Sequence, residues 1–266
     1  MLNSSSVVGL IPAAGLGRRL APLPCSKEVY PLGVSTGDGD GAVKVASQYL
    51  LESMDCAGID TAYVVLRDGK WDIPAYWGNG RRLGLHLAYT VMERPYGVPY
   101  TLDDAYSFVH EHVVAMGFPD VLFEPPDAFV DLLERQQQTR AAIVLGLFPA
   151  SHPEKVDMVR LDAEGRPREL VIKPDDSDLT YTWVCAVWTP TFTEYLHEHV
   201  ERAEHEQRGE ELYVGHVVQD AIRDGLDVDA VCFPDGYTAD IGTPHELHST
   251  VQRELRRADS VAPSGS

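Results

Sequence analysis

The sequence predicts an α/β fold, a Rossmann-like mixed but mostly parallel central sheet flanked by helices. Two observations carry this. Short apolar runs rich in β-branched residues alternate with stretches whose apolar residues recur at helical spacing, as in strands joined by crossover helices. The first of these runs opens directly into a glycine turn, Gly15-Leu16-Gly17, where a sheet of this kind places its ligand loops.

Val7–Pro12 is a short buried strand by composition. Lys44–Ala57 places Val45, Tyr49, Leu50 and Met54 on one helical face. Thr61–Leu66 and Leu85–Met92 read as strands, with a Gly- and Trp-containing loop over Arg67–Gly84 between them. A helix is expected over Leu102–Glu111, a strand over Val113–Met116, a helix over Asp127–Gln138 and a strand over Ala141–Leu147. The second half is less regular. Strands are expected at Asp157–Leu161, Arg168–Lys173 and Trp183–Trp188, the first two joined by the turn Asp162-Ala163-Glu164-Gly165. Helices over Thr191–His205 and Leu212–Asp224, a strand over Val228–Phe233 and a helix over Pro244–Arg257 complete the pattern. No composition break divides it. The expectation is a single domain over 1–257 and a small polar tail, 258–266, that is disordered.

The chain has 266 residues, with 41 acidic and 22 basic side chains and a formal charge of −19. A general nucleic-acid binder or a protein held on anionic membrane needs a basic face, so the acidity argues against both partners. It does not exclude small anionic substrates. No stretch approaches the roughly 20 apolar residues that span a bilayer, and Val7–Pro12 is too brief for a signal peptide. The cysteines Cys25, Cys56, Cys185 and Cys232 form no CxxC pair, so free thiols in a reducing cytoplasm are expected.

Several motifs fail on spacing. GxGxxG would need glycine where Leu20 stands, and no GxxxxGK[ST] occurs. His110-Glu111-His112 and His197-Glu198-His199 are not HExxH, and side chains two apart on a helix diverge. Gly37-Asp38-Gly39-Asp40-Gly41 starts like a calcium loop but has Tyr49 at the twelfth position. Gly69–Gly80, with two tryptophans and a tyrosine, would either close over a substrate or pack its rings on the core; core packing is the stronger expectation. The glycine turn remains, followed by Arg18, Arg19 and Lys27. That is a local concentration of cations in an acidic chain, beside a loop suited to phosphate.

The longer string Leu10-Ile11-Pro12-Ala13-Ala14-Gly15-Leu16-Gly17-Arg18-Arg19-Leu20-Ala21-Pro22-Leu23, followed by Ser26-Lys27-Glu28, resembles the signature of sugar-1-phosphate nucleotidyltransferases. Three later segments match in order: Gly117-Phe118-Pro119-Asp120, Ile172-Lys173-Pro174 and Asp240-Ile241-Gly242-Thr243-Pro244. The resemblance covers roughly residues 7 to 250 and implies the fold of the nucleotide-diphospho-sugar transferases, with a nucleotide-binding part near 7–150 and an acceptor-binding part near 151–250. It further implies that a sugar 1-phosphate attacks the α-phosphorus of a nucleoside triphosphate and releases pyrophosphate. Such chemistry asks chiefly for positioning and charge neutralisation. On the resemblance, Arg19, Lys27 and Asp120 are catalytic and Asp120 and Asp240 hold Mg²⁺. Ala13, Ala14, Gly15, Gly17, Arg18, Met92 and Gly97 receive the nucleotide. Lys173, Ala186 and Trp188 receive the acceptor.

The sequence departs from the family pattern at four places. Met92 stands where a base-reading Gln is common, Ile172 where a sugar-contacting Glu is common, and Ala186 where a glycine is usual, and Phe118-Pro119 is inserted between Gly117 and Asp120, where the family has a plain Gly-Asp. By resemblance dTTP or UTP is favoured, with CTP kept open. A sugar 1-phosphate is the expected acceptor, with a related phosphate or phosphonate monoester as the alternative. A catalytically silent nucleotide-binding regulator is the reading from a different class. The oligomeric state stays open, a homo-oligomer being compatible.

Overall fold

The computed structural model describes residues 6–34, 42–93, 97–205 and 212–261. The Gly37–Gly41 stretch and residues 262–266 lie outside them. In chain order the elements are β1 (Val7–Pro12), β2 (Pro31–Val34), β3 (Val43–Val45), α1 (Ala46–Cys56), β4 (Thr61–Arg67), α2 (Asp72–Trp77), β5 (His86–Met92), α3 (Val98–Asp103), α4 (Tyr106–Val109) and β6 (Val113–Gly117). They continue with β7 (Val121–Glu124), α5 (Ala128–Thr139), β8 (Ile143–Pro149), β9 (Asp157–Leu161), β10 (Pro167–Ile172), β11 (Tyr181–Trp188), α6 (Pro190–His205), α7 (Val214–Arg223), β12 (Val228–Cys232), β13 (Tyr237–Asp240) and α8 (Pro244–Val261).

The main sheet runs β12-β8-β11-β6-β1-β4-β5. Every neighbouring pair is parallel except those of β11, which is antiparallel to both β6 and β8. The antiparallel pair β9–β10 continues the β6 side at the start of β11, through Tyr181↔Val159 and Thr182↔Met158. Strands buried on both faces read as continuous apolar runs, and their alternation sends neighbours to opposite layers. Leu10, Val65, Met116 and Leu145 face α6 and α7 through Phe192, Leu196, Val217 and Ala221. Ile11, Val64, Ala115 and Val144 face α1 and α5 through Leu50, Met54, Phe129 and Leu132.

Four elements differ from the sequence expectation. Lys44 lies in β3, so the helix begins only at Ala46. The expected loop over 67–84 contains α2, whose Pro74 sits in the first turn, where its missing N–H costs nothing. The single helix expected over 102–111 is two short ones, and the first starts at Val98 with Pro99 in its opening turn. α8 runs to Val261, past the expected end at Arg257, so the first part of the expected disordered tail is helical. The short pair β7–β13 was not foreseen. Each strand has four residues, too few for a periodic signal, and among the described residues each pairs only with the other.

Candidate active site

A cavity of about 760 Å³ opens where the segments after β1, β6, β10 and β13 converge. Arg19, Asp120, Lys173, Trp183 and Asp240 line it. The pair β7–β13 is what brings the two aspartates together. Asp240 lies opposite Val121 in the register, and the Ile241 amide donates to the Asp120 carbonyl at 3.1 Å. The Gly242 amide donates to Asp240 Oδ1 at 2.7 Å. A side chain at 242 would put its Cβ 2.6 Å from Arg19 Nη2, so glycine there lets the guanidinium close on this turn. Thr243 then caps α8. Its hydroxyl accepts from the Glu246 amide at 3.3 Å and donates to Glu246 Oε2 at 2.8 Å, and Glu246 in turn accepts from Lys155 at 2.8 Å.

Lys27, on a one-turn helix Lys27–Val29, forms an ion pair with Asp120. Burial alone would raise the Asp120 carboxyl, but the Lys27 ammonium outweighs it and holds the group below the usual carboxylate range. Reciprocally, Asp120 overcomes the effect of burial on Lys27 and holds it charged. Asp240 faces the cavity, where water reaches it, while protein fills most of its other surroundings. That burial, and then the Asp120 charge, push it up to about 6. Two carboxylates facing one space with their charge incompletely offset suit a hard divalent cation that completes its shell with phosphate and water oxygens. Among the described residues no group of three or more His, Cys, Asp or Glu side chains converges to hold an ion by itself.

Residues 8–257 match the family model described as nucleotidyl transferase. The chain belongs to the nucleotidyl transferase family. The glucose-1-phosphate thymidylyltransferase of Streptomyces antibioticus is 28% identical over 92% of the chain and 66% of its own length. That of Streptomyces griseus is also 28% identical, over 90% of the chain and 63% of its own length. The chain thus spans about two thirds of the length of these curated relatives. The fold is similar to that of a Bacillus anthracis structure named for glucose-1-phosphate thymidylyltransferase and holding a sucrose. The TM-score is 0.80 at 16% identity, covering 94% of this chain and 95% of that one. A UDP-glucose pyrophosphorylase complexed with UDP-glucose gives 0.77 at 17% identity, covering 95% and 99%.

In this nucleotidyl transferase the glycine loop has the expected form. Gly17 is left-handed at φ 61° and precedes the one-turn helix Arg18–Leu20, while a Cβ on Gly15 would meet nothing within 4 Å. Ala13 and Ala14 are buried beneath the loop, and the Ala13 amide donates to the Val65 carbonyl at 2.8 Å. Arg18 and Arg19 are exposed, and only Arg19 of the two lines the cavity. Gly97, at φ 136°, is needed for close passage of its backbone beside Leu212. Lys173, at φ 42°, lays its ammonium over the Tyr213 ring, 3.8 Å from the centroid.

Three site residues named from the sequence sit elsewhere. Met92, at the end of β5, is buried, and its sulfur accepts the Thr101 hydroxyl at 3.3 Å. Ala186 is packed between β6 and β8, and Trp188 is buried against Phe192 with its indole N–H on Thr193 Oγ1 at 3.0 Å. The Ala186 and Trp188 side chains are core because β11 is central to the sheet. At its other end, Trp183 reaches the cavity. Sequence reading also missed the support behind Lys27. Asp72 accepts the Ser26 amide at 2.6 Å and the Ser26 hydroxyl at 2.7 Å, and Lys70 pairs with Glu28. The partners are more than 40 residues apart in sequence, and the charges of Gly69–Gly80 were the signal available. Trp77 of that stretch is buried, with its N–H on Ser47 Oγ at 2.9 Å, so this ring packs on the core.

Proposed function

We propose that the protein is a Mg²⁺-dependent enzyme joining a nucleoside triphosphate to a sugar 1-phosphate, with an NDP-sugar and pyrophosphate as products. The observation that carries the reading is the convergence of Arg19, Asp120, Asp240 and Lys173 on one cavity, with Lys27 ion-paired to Asp120 behind it. The acceptor phosphate oxygen attacks the α-phosphorus, and the bond to the bridging oxygen of the leaving pyrophosphate breaks. Lys27, held charged and fixed by Asp120, offsets the repulsion between the two anions as they approach. Arg19 lies over the triphosphate and stabilises charge developing on pyrophosphate. Lys173 holds the acceptor phosphate. Asp120 and Asp240 would hold Mg²⁺, which when bound neutralises and orients phosphate oxygens. Gly15 leaves the loop backbone open to the nucleotide.

The names of the relatives support dTTP or UTP as the donor, and the free thiols Cys25, Cys56, Cys185 and Cys232 suit a reducing cytoplasm. Among the described residues no helix is long and apolar enough to cross a membrane. The test is pyrophosphate release from each nucleoside triphosphate paired with each of a panel of sugar 1-phosphates and alcohol phosphates. Turnover with dTTP or UTP and a hexose 1-phosphate is expected. Tight triphosphate binding without turnover in any pair would replace the enzyme by a binding regulator.

A further inference from the structure

Among the described residues four carboxylates line the cavity: Asp120, Asp157, Asp240 and Glu246. Asp120 is engaged by Lys27, Asp240 by the Gly242 amide, and Glu246 by Lys155 and Thr243. Asp157 opens β9 on the wall that carries Lys173 and Trp183. The Trp183 side chain hydrogen-bonds to it, and Lys173 and His216 act on it electrostatically. A carboxylate has about four lone-pair directions, so one indole N–H leaves acceptor capacity facing the cavity.

We infer that Asp157 selects the acceptor by accepting hydrogen bonds from the hydroxyls of a neutral sugar ring. This rests on the sugar 1-phosphate reading above. Asp157 and Ile172 are direct partners across the antiparallel pair β9–β10, and directly opposed residues point to the same face. The apolar Ile172 therefore leaves the polar role on this face to Asp157. Gly215 at the start of α7 makes room for both, since a Cβ there would collide with Asp157 Oδ2 and Ile172 Cδ1. Trp183, with the Phe118 ring centroid 5.8 Å from its own, adds a flat apolar surface for the C–H face of a ring. The charges disfavour a cationic acceptor such as a quaternary ammonium. Lys173 already covers the Tyr213 face and offsets Asp157, so a cation would meet its repulsion. A phosphate on Lys173 with the sugar ring reaching Asp157 satisfies both groups.

The test is calorimetric titration of the full chain with α-D-glucose 1-phosphate, galactose 1-phosphate, their monodeoxy analogues, phosphocholine, inorganic phosphate and dTTP. The expected result is that a hexose 1-phosphate binds wild type at least about tenfold more tightly than one of its monodeoxy analogues, because the lost hydroxyl leaves an Asp157 oxygen unpaired beneath the bound ring. Asp157→Asn should weaken the parent sugar phosphate by a similar factor, narrow that discrimination, and leave dTTP and inorganic phosphate unchanged. The deoxy series on wild type needs no variant to fold. Equal binding of parent and all deoxy analogues would overturn the inference. So would an Asp157→Asn protein that binds the sugar phosphate like wild type, or a wild type that binds phosphocholine and no hexose 1-phosphate. Parallel pyrophosphate assays separate the two readings. The expected binding pattern without turnover sinks the catalytic reading alone, whereas turnover of a hexose 1-phosphate and all its monodeoxy analogues with equal efficiency sinks the Asp157 assignment alone.

Discussion

Lys70 and Glu28 form an ion pair with side chains only 5% and 2% exposed, Glu28 following directly on Lys27 in the chain. Burial lowers Lys70 and raises Glu28, and each offsets the effect on the other. The second Glu28 oxygen is buried with no hydrogen-bond partner among the described residues. Removing one member of such a pair strands a charge. Lys70→Met is therefore expected to lower stability by about 3–5 kcal/mol, read by urea denaturation. The double change Glu28→Leu with Lys70→Met should recover most of that loss, because the desolvated charges disappear together. A single variant as stable as wild type would contradict the burial of the pair.

Asp240 carries a pH signature. Its folded value of about 6 lies above the ordinary aspartate range, so the folded state holds this proton more tightly than the unfolded chain. The stability from that proton is full below the unfolded value and is lost as pH rises through about 6. Asp240→Asn cannot lose it. The metal-free variant should melt above metal-free wild type at neutral pH, with the gap closing as pH falls towards about 4. Thermal melts across pH with chelator present measure this, and a gap independent of pH would remove the assignment.

The two loop glycines should respond differently to alanine. Gly17 is left-handed, so Gly17→Ala should cost about 1 kcal/mol. Gly15 is outside that region, and its Cβ would meet no protein atom within 4 Å. Gly15→Ala should leave the melting temperature unchanged while raising the KM for the triphosphate, because only a bound nucleotide would meet the methyl group. An unchanged KM would show that the nucleotide does not approach this backbone.

The tryptophans of 69–80 separate scaffold from surface. Trp77→Phe removes the bond to buried Ser47 and should cost about 1–2 kcal/mol. Trp71 is 54% exposed, and Trp71→Ala should change stability by less than about 0.5 kcal/mol. Equal effects on chemical denaturation would mean that the stretch packs differently.

What could be read in the sequence follows from range. β1 and β9 have the expected ends, since β1 is a compact apolar run and β9 stops at the turn Asp162–Gly165. Arg19, Lys27, Asp120, Lys173 and Asp240 carried motif spacing, and the fold brings them to one region. Ala186 and Trp188 were misplaced because position along β11 does not reveal which part of a central strand reaches the cavity and which is covered by α6. Asp157, Asp72 and Lys70 stayed hidden because their importance arises from partners on other strands and loops. The pairing of β9 with β10 and the packing of α2 against 26–28 create those relations, and neither leaves a periodic trace.

The most direct measurement is pyrophosphate release during a Mg²⁺ titration, with dTTP or UTP and a hexose 1-phosphate, for wild type and Asp240→Asn at neutral pH. Release by wild type should saturate with Mg²⁺ and vanish with chelator. Asp240→Asn, a protein that still melts cooperatively, should lose about a hundredfold or more. Wild-type release that is indifferent to Mg²⁺, or an Asp240→Asn enzyme with the wild-type rate and Mg²⁺ dependence, would contradict Mg²⁺-dependent catalysis at Asp240.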